Sequence, residues 1–399
     1  RPPRSTPKPS SAASDVYKRQ MKMRAAVMVA TETPKPYAQS RPAEVTEVEL
    51  DPPGEGEVLV EMKAAGVCHS DLSIINGSRP RPAPMVLGHE AAGVIVEVGP
   101  GVKRLKKGDH VAFVFVPSCG HCAPCMSGRP ALCEPGAQAN AVGEMLSGGR
   151  RLSWKNGEPI NHQVGVSCFA EYAVASECSL IKIDKSLPLQ EASLLSCAVI
   201  TGAGAVLNAA KMPTGATTAI VGCGGVGLNA LLAAKMLGAE RLVAIDRDVR
   251  KLEHARKLGA TDTFQSDDPN CVENVRDATN GGLMYVFEAA GTVEAMETAY
   301  MVTCRGGTVT SVGLSHPSSN FSIQHVNLVA EEKTIKGCYL GSCVPLRDIP
   351  RYINLYQRGL LPVDKIITRK IPLDEINEAF DRLDAGEELR QVIMFGGSV

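Results

Sequence analysis

The sequence predicts two folding units of different type, a β-rich unit followed by an α/β unit with a parallel sheet. Between about residues 23 and 196, short apolar runs alternate with Gly/Pro turns, a pattern typical of strands. From about residue 198 to 337, apolar strand candidates alternate with helical stretches of roughly 10–15 residues, which indicates βαβ units. A length of 399 residues fits two or three domains of roughly 100–200 residues each.

Local patterns place the individual elements. We expect strands of the β-rich unit at 24–30, 57–64, 93–98 and 110–116, and strands of the α/β unit at 218–222, 241–246, 285–288 and 307–312. A helical run at 228–237 follows the first α/β strand directly. The tail predicts helices at 350–359 and 373–385 and a strand at 390–395.

Charge and composition argue against several function classes. The 42 Lys+Arg and 43 Asp+Glu give a formal net charge of −1, which argues against nucleic acid or an anionic membrane as a partner. No apolar run of about 18 residues is uninterrupted, and the best candidate, 219–236, is rich in Gly, so we expect no membrane span. The 13 cysteines indicate metal ligands plus buried thiols in a reducing compartment, so we expect a cytoplasmic protein.

Residues 1–20 differ from the rest of the chain. They hold four Pro, five basic residues and one acidic residue without either hydrophobic period, so we expect a disordered leader. They lack the apolar core of a secretory signal. A transit peptide is an alternative, although the prolines disfavour the amphipathic helix that it needs. We expect extraneous or upstream sequence, with translation starting at Met21 or Met23.

One strand-to-helix junction carries a dinucleotide-binding fingerprint. The run Gly222-Cys-Gly224-Gly225-Val226-Gly227 gives G-x-G-x-x-G between a predicted strand and a predicted helix. Its glycines permit a tight turn, close approach of a pyrophosphate and close packing of the helix on the strand. Asp246 ends the next strand, where a carboxylate binds the adenosine ribose and favours NAD over NADP, while Arg247 weakens that preference. The alternative is a Gly-rich turn that binds no ligand.

Four cysteines form a compact cluster in a loop rich in Gly, Pro and Ser. They follow the spacing C-x2-C-x2-C-x7-C at Cys119, Cys122, Cys125 and Cys133. Four thiolates at this spacing fit one tetrahedral Zn²⁺ and leave no position for water, so the site would be structural. An iron–sulfur cluster is an alternative, but its fourth cysteine normally follows after three residues. Free thiols or disulfides are a further alternative.

A third set of metal-ligand types is spread along the chain. Cys68 and His89 lie 21 residues apart, and Cys197 lies 108 residues beyond His89. Two cysteines and one histidine with an open fourth position would form a catalytic zinc site. Spacing alone does not bring them together, and singly a cysteine is more often a small buried hydrophobe and a histidine a structural residue.

The order of these motifs resembles the zinc-dependent medium-chain alcohol dehydrogenase family from Met23 to Phe395. The motifs that carry the resemblance are Gly66-Val-Cys68-His69-Ser70-Asp71, Gly88-His89-Glu90, the four-cysteine loop, the segment ending at Cys197, the glycine fingerprint and a late Arg390. The resemblance implies a GroES-like β-rich catalytic domain, 21–198 and 340–399, with an inserted Rossmann NAD-binding domain, 199–339. It also implies that Cys68, His89 and Cys197 share one zinc, so that each chain holds two.

The resemblance further implies a reaction and roles for site residues. The reaction is the reversible oxidation of an alcohol to an aldehyde or ketone, by hydride transfer from a zinc-bound alkoxide to NAD. Ser70 resembles the hydroxyl residue that takes the alcohol proton, and Asp71 the carboxylate that orients His89. Glu90 resembles a carboxylate that approaches the metal, with a structural role as the alternative. An ordinary loop serine is the alternative for Ser70.

Further residues resemble cofactor ligands, and some positions depart from the family pattern. His69 and Arg390 resemble residues that hold the pyrophosphate, and Lys251 one beside the ribose, with a solvated helix lysine as the alternative. Ser73 stands where many members carry a histidine that passes the proton to solvent. Phe115 and Gln163 resemble the family's substrate-pocket walls and Arg79 a residue at the channel mouth, and the last two imply a polar substrate.

Competing functions on the same architecture are a glutathione-conjugate (formaldehyde-type) dehydrogenase and a non-catalytic NAD-binding protein that keeps the zinc lobe as a scaffold. A zinc-free reductase of activated double bonds is disfavoured, because it lacks the Cys/His/Cys set. The long segment between Cys133 and Cys197 resembles that of dimeric, liver-type members, so we expect a homodimer.

Overall fold

The computed structural model describes residues 20–396, so the leader expected at 1–20 lies outside the described residues except for Gln20. Within this range the strands are β1 (Met21–Met28), β2 (Ala43–Leu50), β3 (Glu57–Val67), β4 (Met85–Val86), β5 (Ala91–Val98), β6 (His110–Phe113), β7 (Leu152–Ser153), β8 (Pro159–His162), β9 (Tyr172–Ser176), β10 (Leu180–Ile183), β11 (Thr217–Val221), β12 (Arg241–Asp246), β13 (Asp262–Gln265), β14 (Leu283–Glu288), β15 (Thr303–Ser311), β16 (Thr334–Gly337), β17 (Arg369–Ile371) and β18 (Gln391–Met394).

Helices connect these strands. The α-helices of the described range are Tyr37–Ser40, His69–Ile75, Ala123–Met126, Glu134–Val142, Leu189–Leu194, Ile200–Gly204, Gly225–Met236, Val249–Leu258, Cys271–Ala278, Val293–Val302, His325–Ala330, Pro345–Gln357 and Ile376–Asp384. Short 3₁₀ turns lie at Pro130–Leu132, Glu177–Ser179, Leu340–Ser342, Val363–Ile366 and Leu373–Glu375.

The first ten strands build a β-rich unit from a closed barrel and an open sheet. The barrel has the order β1-β2-β7-β8-β4, and the sheet has the order β10-β6-β5-β3-β18-β17, with β9 also paired to β3. The last two strands of the chain belong to this sheet, because β18 pairs antiparallel with β3 and sets Gln391 opposite Val67. The tail therefore returns to the unit in which the described chain begins.

The α/β unit is a six-stranded parallel sheet with the order β13-β12-β11-β14-β15-β16. The strand order reverses between β11 and β14, and in such sheets a ligand crevice lies beyond the carboxyl ends of the strands at this point. One hydrophobic core joins the two units, since Ala92 of β5, Leu195 and Leu228 belong to the same buried cluster. The crevice therefore opens beside the β-rich unit.

A long apolar helical segment, Leu189–Ala210, connects the two units. It contains two stretches of π-helix, Leu195–Val199 and Ala205–Ala210, between regular α-helical turns. Its length and composition would allow it to cross a membrane, but 83% of its most apolar window is buried inside the protein. The apolar region 219–236, singled out from the sequence, is instead β11, the glycine turn and the helix that follows.

Candidate active site

Two cysteines and one histidine from three separate elements converge at the junction of the two units. Cys68 follows β3, His89 follows β4, and Cys197 lies in the π-helical stretch Leu195–Val199. All three are buried, and their ligand atoms lie within 4.8 Å of one another. The structure thus brings together the three residues that spacing alone could not connect.

The surroundings of these residues favour a cation. His89 Nδ1 is 2.8 Å from Asp71 Oδ1, whereas His89 Nε2 is buried and has no hydrogen-bond partner among residues 20–396. Burial opposes protonation of His89, but the charges and hydrogen bonds of Asp71 and Cys68 together outweigh it and raise the pKa of this imidazole well above its usual range. The Cys197 thiol donates a hydrogen bond that lowers the pKa of Cys68 well below its usual range. An orphaned imidazole nitrogen beside a thiolate fits zinc.

Asp71 is itself held in place by two further groups. Its Oδ2 accepts a hydrogen bond of 3.1 Å from the Cys68 backbone N–H, and its Oδ1 accepts one of 2.8 Å from Gln163 Nε2. The Oε1 of Gln163 accepts from the backbone N–H of Gly88, next to His89. Gln163, expected from the sequence only as a pocket wall, therefore also fixes the carboxylate that orients His89.

Glu90 and Arg390 form a buried ion pair behind the three candidate ligands. Glu90 Oε2 lies 3.1 Å from Arg390 Nη1, and both side chains are at most 4% exposed. Burial raises the pKa of Glu90 to about 7 against the opposing charge of Arg390. Arg390 Nη1 also donates to the Val67 carbonyl, while its buried Nε has no partner in the described part of the chain. The Nε–H of this guanidinium is therefore available to a ligand.

The glycine fingerprint forms a cradle at the carboxyl end of β11. Gly222 has φ +95, and a side chain at Gly227 would clash with the carbonyl oxygen of Gly222. Gly224 faces open space, and the Cβ position of Gly225 lies 3.0 Å from Arg390 Nη2. An anion at this helix N-terminus would therefore meet backbone N–H groups and a guanidinium.

Asp246 lies at the carboxyl end of β12, beside this cradle. Its carboxylate accepts hydrogen bonds from the backbone N–H groups of Cys223, at 2.7 Å, and Asp248, at 2.9 Å. Arg247, which follows it, is exposed, and Lys251 is half-buried on the next helix. Each carboxylate oxygen still has a lone pair for a ribose hydroxyl. Val226, between the last two glycines, is half-buried.

A second cluster of candidate metal ligands, with its sulfur atoms within 4.8 Å of one another, consists of Cys119, Cys122, Cys125 and Cys133. Backbone N–H groups of Cys119 and Gly136 donate to the Cys133 sulfur at 3.2 and 3.4 Å. A hydrogen bond from the His121 backbone lowers the pKa of Cys119 to about 7. Four converging sulfurs supported by N–H donors fit a structural zinc site.

A cavity of about 80 Å³ opens beside His89. Its lining is Ser70, Ile74, Arg79, Arg81, His89, Phe115, Gln163, Val164, Leu314 and Tyr339. The Phe115 ring packs edge-on against His89, with ring centroids 5.2 Å apart, and against Tyr339 at 6.4 Å. A larger cavity of about 330 Å³ lies between the four-cysteine loop and the ends of β15 and β16. Leu314 and Tyr339 line both cavities.

His69 and Ser73 belong to the short helix His69–Ile75 that follows Cys68. His69 is exposed at the start of its helix, and Ser73, one turn later, donates a hydrogen bond of 2.7 Å to the His69 carbonyl. The Ser73 hydroxyl is therefore engaged by the helix backbone. The sequence did not identify three residues that line the smaller cavity, namely Arg81, Leu314 and Tyr339. Each lies in a segment without a recognisable motif, and the charge of Arg81 was the one signal of a polar pocket.

A parallel sheet with a dinucleotide-binding fingerprint, beside three buried candidate metal ligands, is typical of metal-dependent dehydrogenases. Residues 54–185 match the family model for the alcohol dehydrogenase GroES-like domain, and residues 225–358 match that for zinc-binding dehydrogenases. The chain belongs to the zinc-dependent medium-chain alcohol dehydrogenase family, which implies zinc and NAD(H) as cofactors.

Individual relatives agree with this assignment over nearly the whole chain. Alcohol dehydrogenase class-3 of Drosophila melanogaster is 38% identical over 90% of this chain and 96% of its own length. S-(hydroxymethyl)glutathione dehydrogenase of Paracoccus denitrificans is 36% identical over 89% and 97%. The crystal structure of benzyl alcohol dehydrogenase from Acinetobacter calcoaceticus superposes with a TM-score of 0.87 at 32% identity, covering 94% of this chain and all of that one. These findings confirm the predicted family, fold class and enzymatic nature.

Proposed function

We propose that this protein catalyses the reversible, NAD- and zinc-dependent oxidation of an alcohol to an aldehyde or ketone. The observation that carries the proposal is the buried group Cys68, His89 and Cys197. His89 Nε2 has no hydrogen-bond partner among the described residues, and His89 lines a cavity together with Ser70. When bound there, zinc acts as a Lewis acid that lowers the pKa of an alcohol.

The chain's own residues then position the substrate and move its proton. Ser70 accepts the proton of the alcohol, because its hydroxyl can both accept and donate a hydrogen bond. The Ser73 hydroxyl donates to the His69 carbonyl, so it does not carry the proton onward. Ser70 would release its own hydroxyl proton to water, and a bound cofactor would supply a ribose hydroxyl as a further acceptor. Asp71 keeps His89 in one orientation through the 2.8 Å contact at Nδ1. Glu90 provides a carboxylate beside the metal ligands.

For the cofactor we propose NAD, with its pyrophosphate at Gly222, Gly224, Gly225, Val226 and Gly227. Arg390, whose buried Nε has no hydrogen-bond partner among residues 20–396, would offset the charge of the pyrophosphate, and His69 would help to hold it. Asp246 would bind the adenosine ribose, flanked by Arg247 and Lys251. The buried carboxylate of Asp246 would repel the 2′-phosphate of NADP.

We further propose two zinc ions per chain and the domain division expected from the sequence. The two clusters of four and three candidate ligands support the zinc count. The sheets support a catalytic domain of residues 21–198 and 340–399 around a dinucleotide-binding domain of residues 199–339. The 13 free cysteines are compatible with the cytoplasmic location that we propose.

We propose that the chain forms a homodimer and that the two copies meet at the edge strand β16. All four residues of β16 are exposed, and it pairs only with β15 among the described strands. Ile335 on this strand and Val326 and Val329 on the preceding helix are exposed, the two valines by more than 60%. An unpaired edge flanked by apolar side chains favours pairing with a second copy.

The test is NADH formation by the purified protein across primary, secondary, aromatic and polar alcohols, with and without glutathione. We expect turnover that is lost in Cys68→Ala, while NAD binding to this variant stays measurable, and zinc analysis should give two ions per chain. Full activity of Cys68→Ala would overturn the catalytic zinc assignment. Turnover that requires glutathione would favour the second candidate, the activity named for the Paracoccus denitrificans relative.

A further inference from the structure

Two arginines lie in the wall of the cavity that opens beside His89. Arg79 and Arg81 belong to the loop between the helix His69–Ile75 and β4. Arg79 is half-buried and Arg81 is exposed. Both line the same cavity as Ser70 and His89. The pocket that would receive the alcohol therefore has positive charge on one wall.

These positive charges have no counter-charge within the part of the chain that the structure describes. Neither arginine has a carboxylate within 4.0 Å among residues 20–396, and the cavity lining contains no Asp or Glu. The buried Nε of Arg79 has no hydrogen-bond partner in this range. Asp71, the carboxylate behind His89, is occupied by His89, Gln163 and the Cys68 backbone.

An unpaired guanidinium that is partly removed from water is unfavourable, because its charge and its N–H donors both need partners. Buried polar groups without a partner are rare in proteins, and a ligand that is absent from the free protein is one physical reason for them. The planar fork of a guanidinium matches a carboxylate, which can accept two parallel hydrogen bonds.

Given the proposed alcohol dehydrogenase activity, on which this inference rests, we propose that the substrate carries a carboxylate remote from its reacting hydroxyl. Its hydroxyl end would lie at Ser70 and His89, and its middle against the rings of Phe115 and Tyr339. Arg79 binds the carboxylate, and Arg81 at the exposed rim attracts it. The substrate class is therefore hydroxy acids and the corresponding aldehyde acids.

The experiment compares each hydroxy acid with its neutral amide of the same shape. The pairs are 4-(hydroxymethyl)benzoate, 6-hydroxyhexanoate and 4-hydroxybutanoate, each with its carboxamide, and the readout is kcat/KM for NADH formation. We expect at least one pair to favour the acid by about 10–100-fold, the effect of a hydrogen bond between two charged groups. Arg79→Gln should bring this ratio close to one, and Arg79→Lys should restore part of it.

Two further variants separate the long-range attraction of the substrate carboxylate from the general effect of removing an arginine. Arg81→Gln should lower kcat/KM for the acid mainly at low salt, since an exposed charge acts by screened attraction. Arg351→Gln, an exposed arginine on the helix Pro345–Gln357 outside the cavity, should leave the acid-to-amide ratio unchanged. Thermal unfolding of every variant checks that the ratio is not altered by misfolding.

The outcomes distinguish this inference from the proposed function. If neutral alcohols are oxidised but no acid exceeds its amide in the native enzyme, or if Arg79→Gln keeps the full acid preference, the carboxylate site is refuted while the dehydrogenase stands. If no alcohol of either kind yields NADH, the proposed function itself fails.

Discussion

Gln163 is expected to control how tightly a metal is held at Cys68, His89 and Cys197, through its hydrogen bonds to Asp71 and to the Gly88 backbone. Its side chain is 3% exposed, donates to Asp71 and accepts from the backbone N–H of Gly88. Gln163→Leu removes both bonds with a small change in volume. Asp71 then loses the hydrogen bond from Gln163 and keeps its contacts with the Cys68 N–H and with His89. Because the carboxylate is less firmly held, His89 loses its fixed orientation.

The loss of stability in Gln163→Leu follows from the two hydrogen bonds that the amide makes. Loss of a hydrogen bond to a carboxylate costs about 1.5–3 kcal/mol, and leaving the Gly88 N–H unpaired costs about 1–3 kcal/mol. We therefore expect the free energy of unfolding to fall by about 2.5–6 kcal/mol. Mutation of a group that orients a metal-ligating histidine typically lowers the metal affinity by about 10–100-fold. We therefore expect zinc to bind more weakly by this factor at Cys68, His89 and Cys197.

The assay follows zinc release during titration with a chelator, alongside unfolding in urea. Gln163→Leu should lose one zinc at lower chelator concentration, while the zinc of the four-cysteine cluster is retained. The matched control is Asn377→Leu, a fully buried amide that donates to and accepts from the backbone of Ala43, in the tail helix Ile376–Asp384. The reasoning is refuted if both variants are destabilised and neither changes zinc retention.

Three further predictions concern the cofactor, acid stability and assembly. Asp246→Asn should raise the NADP-to-NAD ratio of kcat/KM by about 10-fold or more, because it removes the charge that repels the 2′-phosphate; an unchanged ratio in steady-state assays would contradict the role of Asp246. Burial, aided by Arg151 and Arg150, lowers the pKa of His162 to about 3, so its unfolded form binds a proton that the folded form does not. Stability should therefore decline as pH falls from about 6.5 towards 3, by up to about 1.4 kcal/mol per pH unit, and urea midpoints of His162→Gln should decline less; parallel curves would exclude this residue. Ile335→Lys should yield monomers in light scattering while the exposed control Leu360→Lys does not, and a dimer in both would remove β16 from the contact.

Local patterns were sufficient for the elements and motifs whose signals lie within a few residues. The strand predicted at 241–246 coincides with β12, and the glycine fingerprint lies between β11 and its helix as expected. Strands β13 and β16 were missed. They are four residues long, and β16 is exposed throughout, so neither shows the buried alternation that a sequence reveals.

Interactions across long sequence distances could not be predicted from the residues alone. Asp71 and Gln163 are 92 positions apart, and the loops between them have no pattern that fixes their register. The pairing of Glu90 with Arg390 joins the β-rich half to the tail in the same way. The convergence of Cys68, His89 and Cys197 was expected only through the family resemblance, because each residue is ordinary on its own.

The spacing of the two candidate metal centres has a consequence for biosynthesis. The four cysteines from Cys119 to Cys133 leave the ribosome within about 1–3 s of one another at roughly 5–20 residues per second, so this site can be filled while the chain is growing. Cys197 follows His89 by 108 residues, or about 5–20 s. The nascent chain therefore presents an incomplete pair, Cys68 and His89, several seconds before the third candidate ligand, Cys197, is synthesised, so the two candidate sites would become complete at different times.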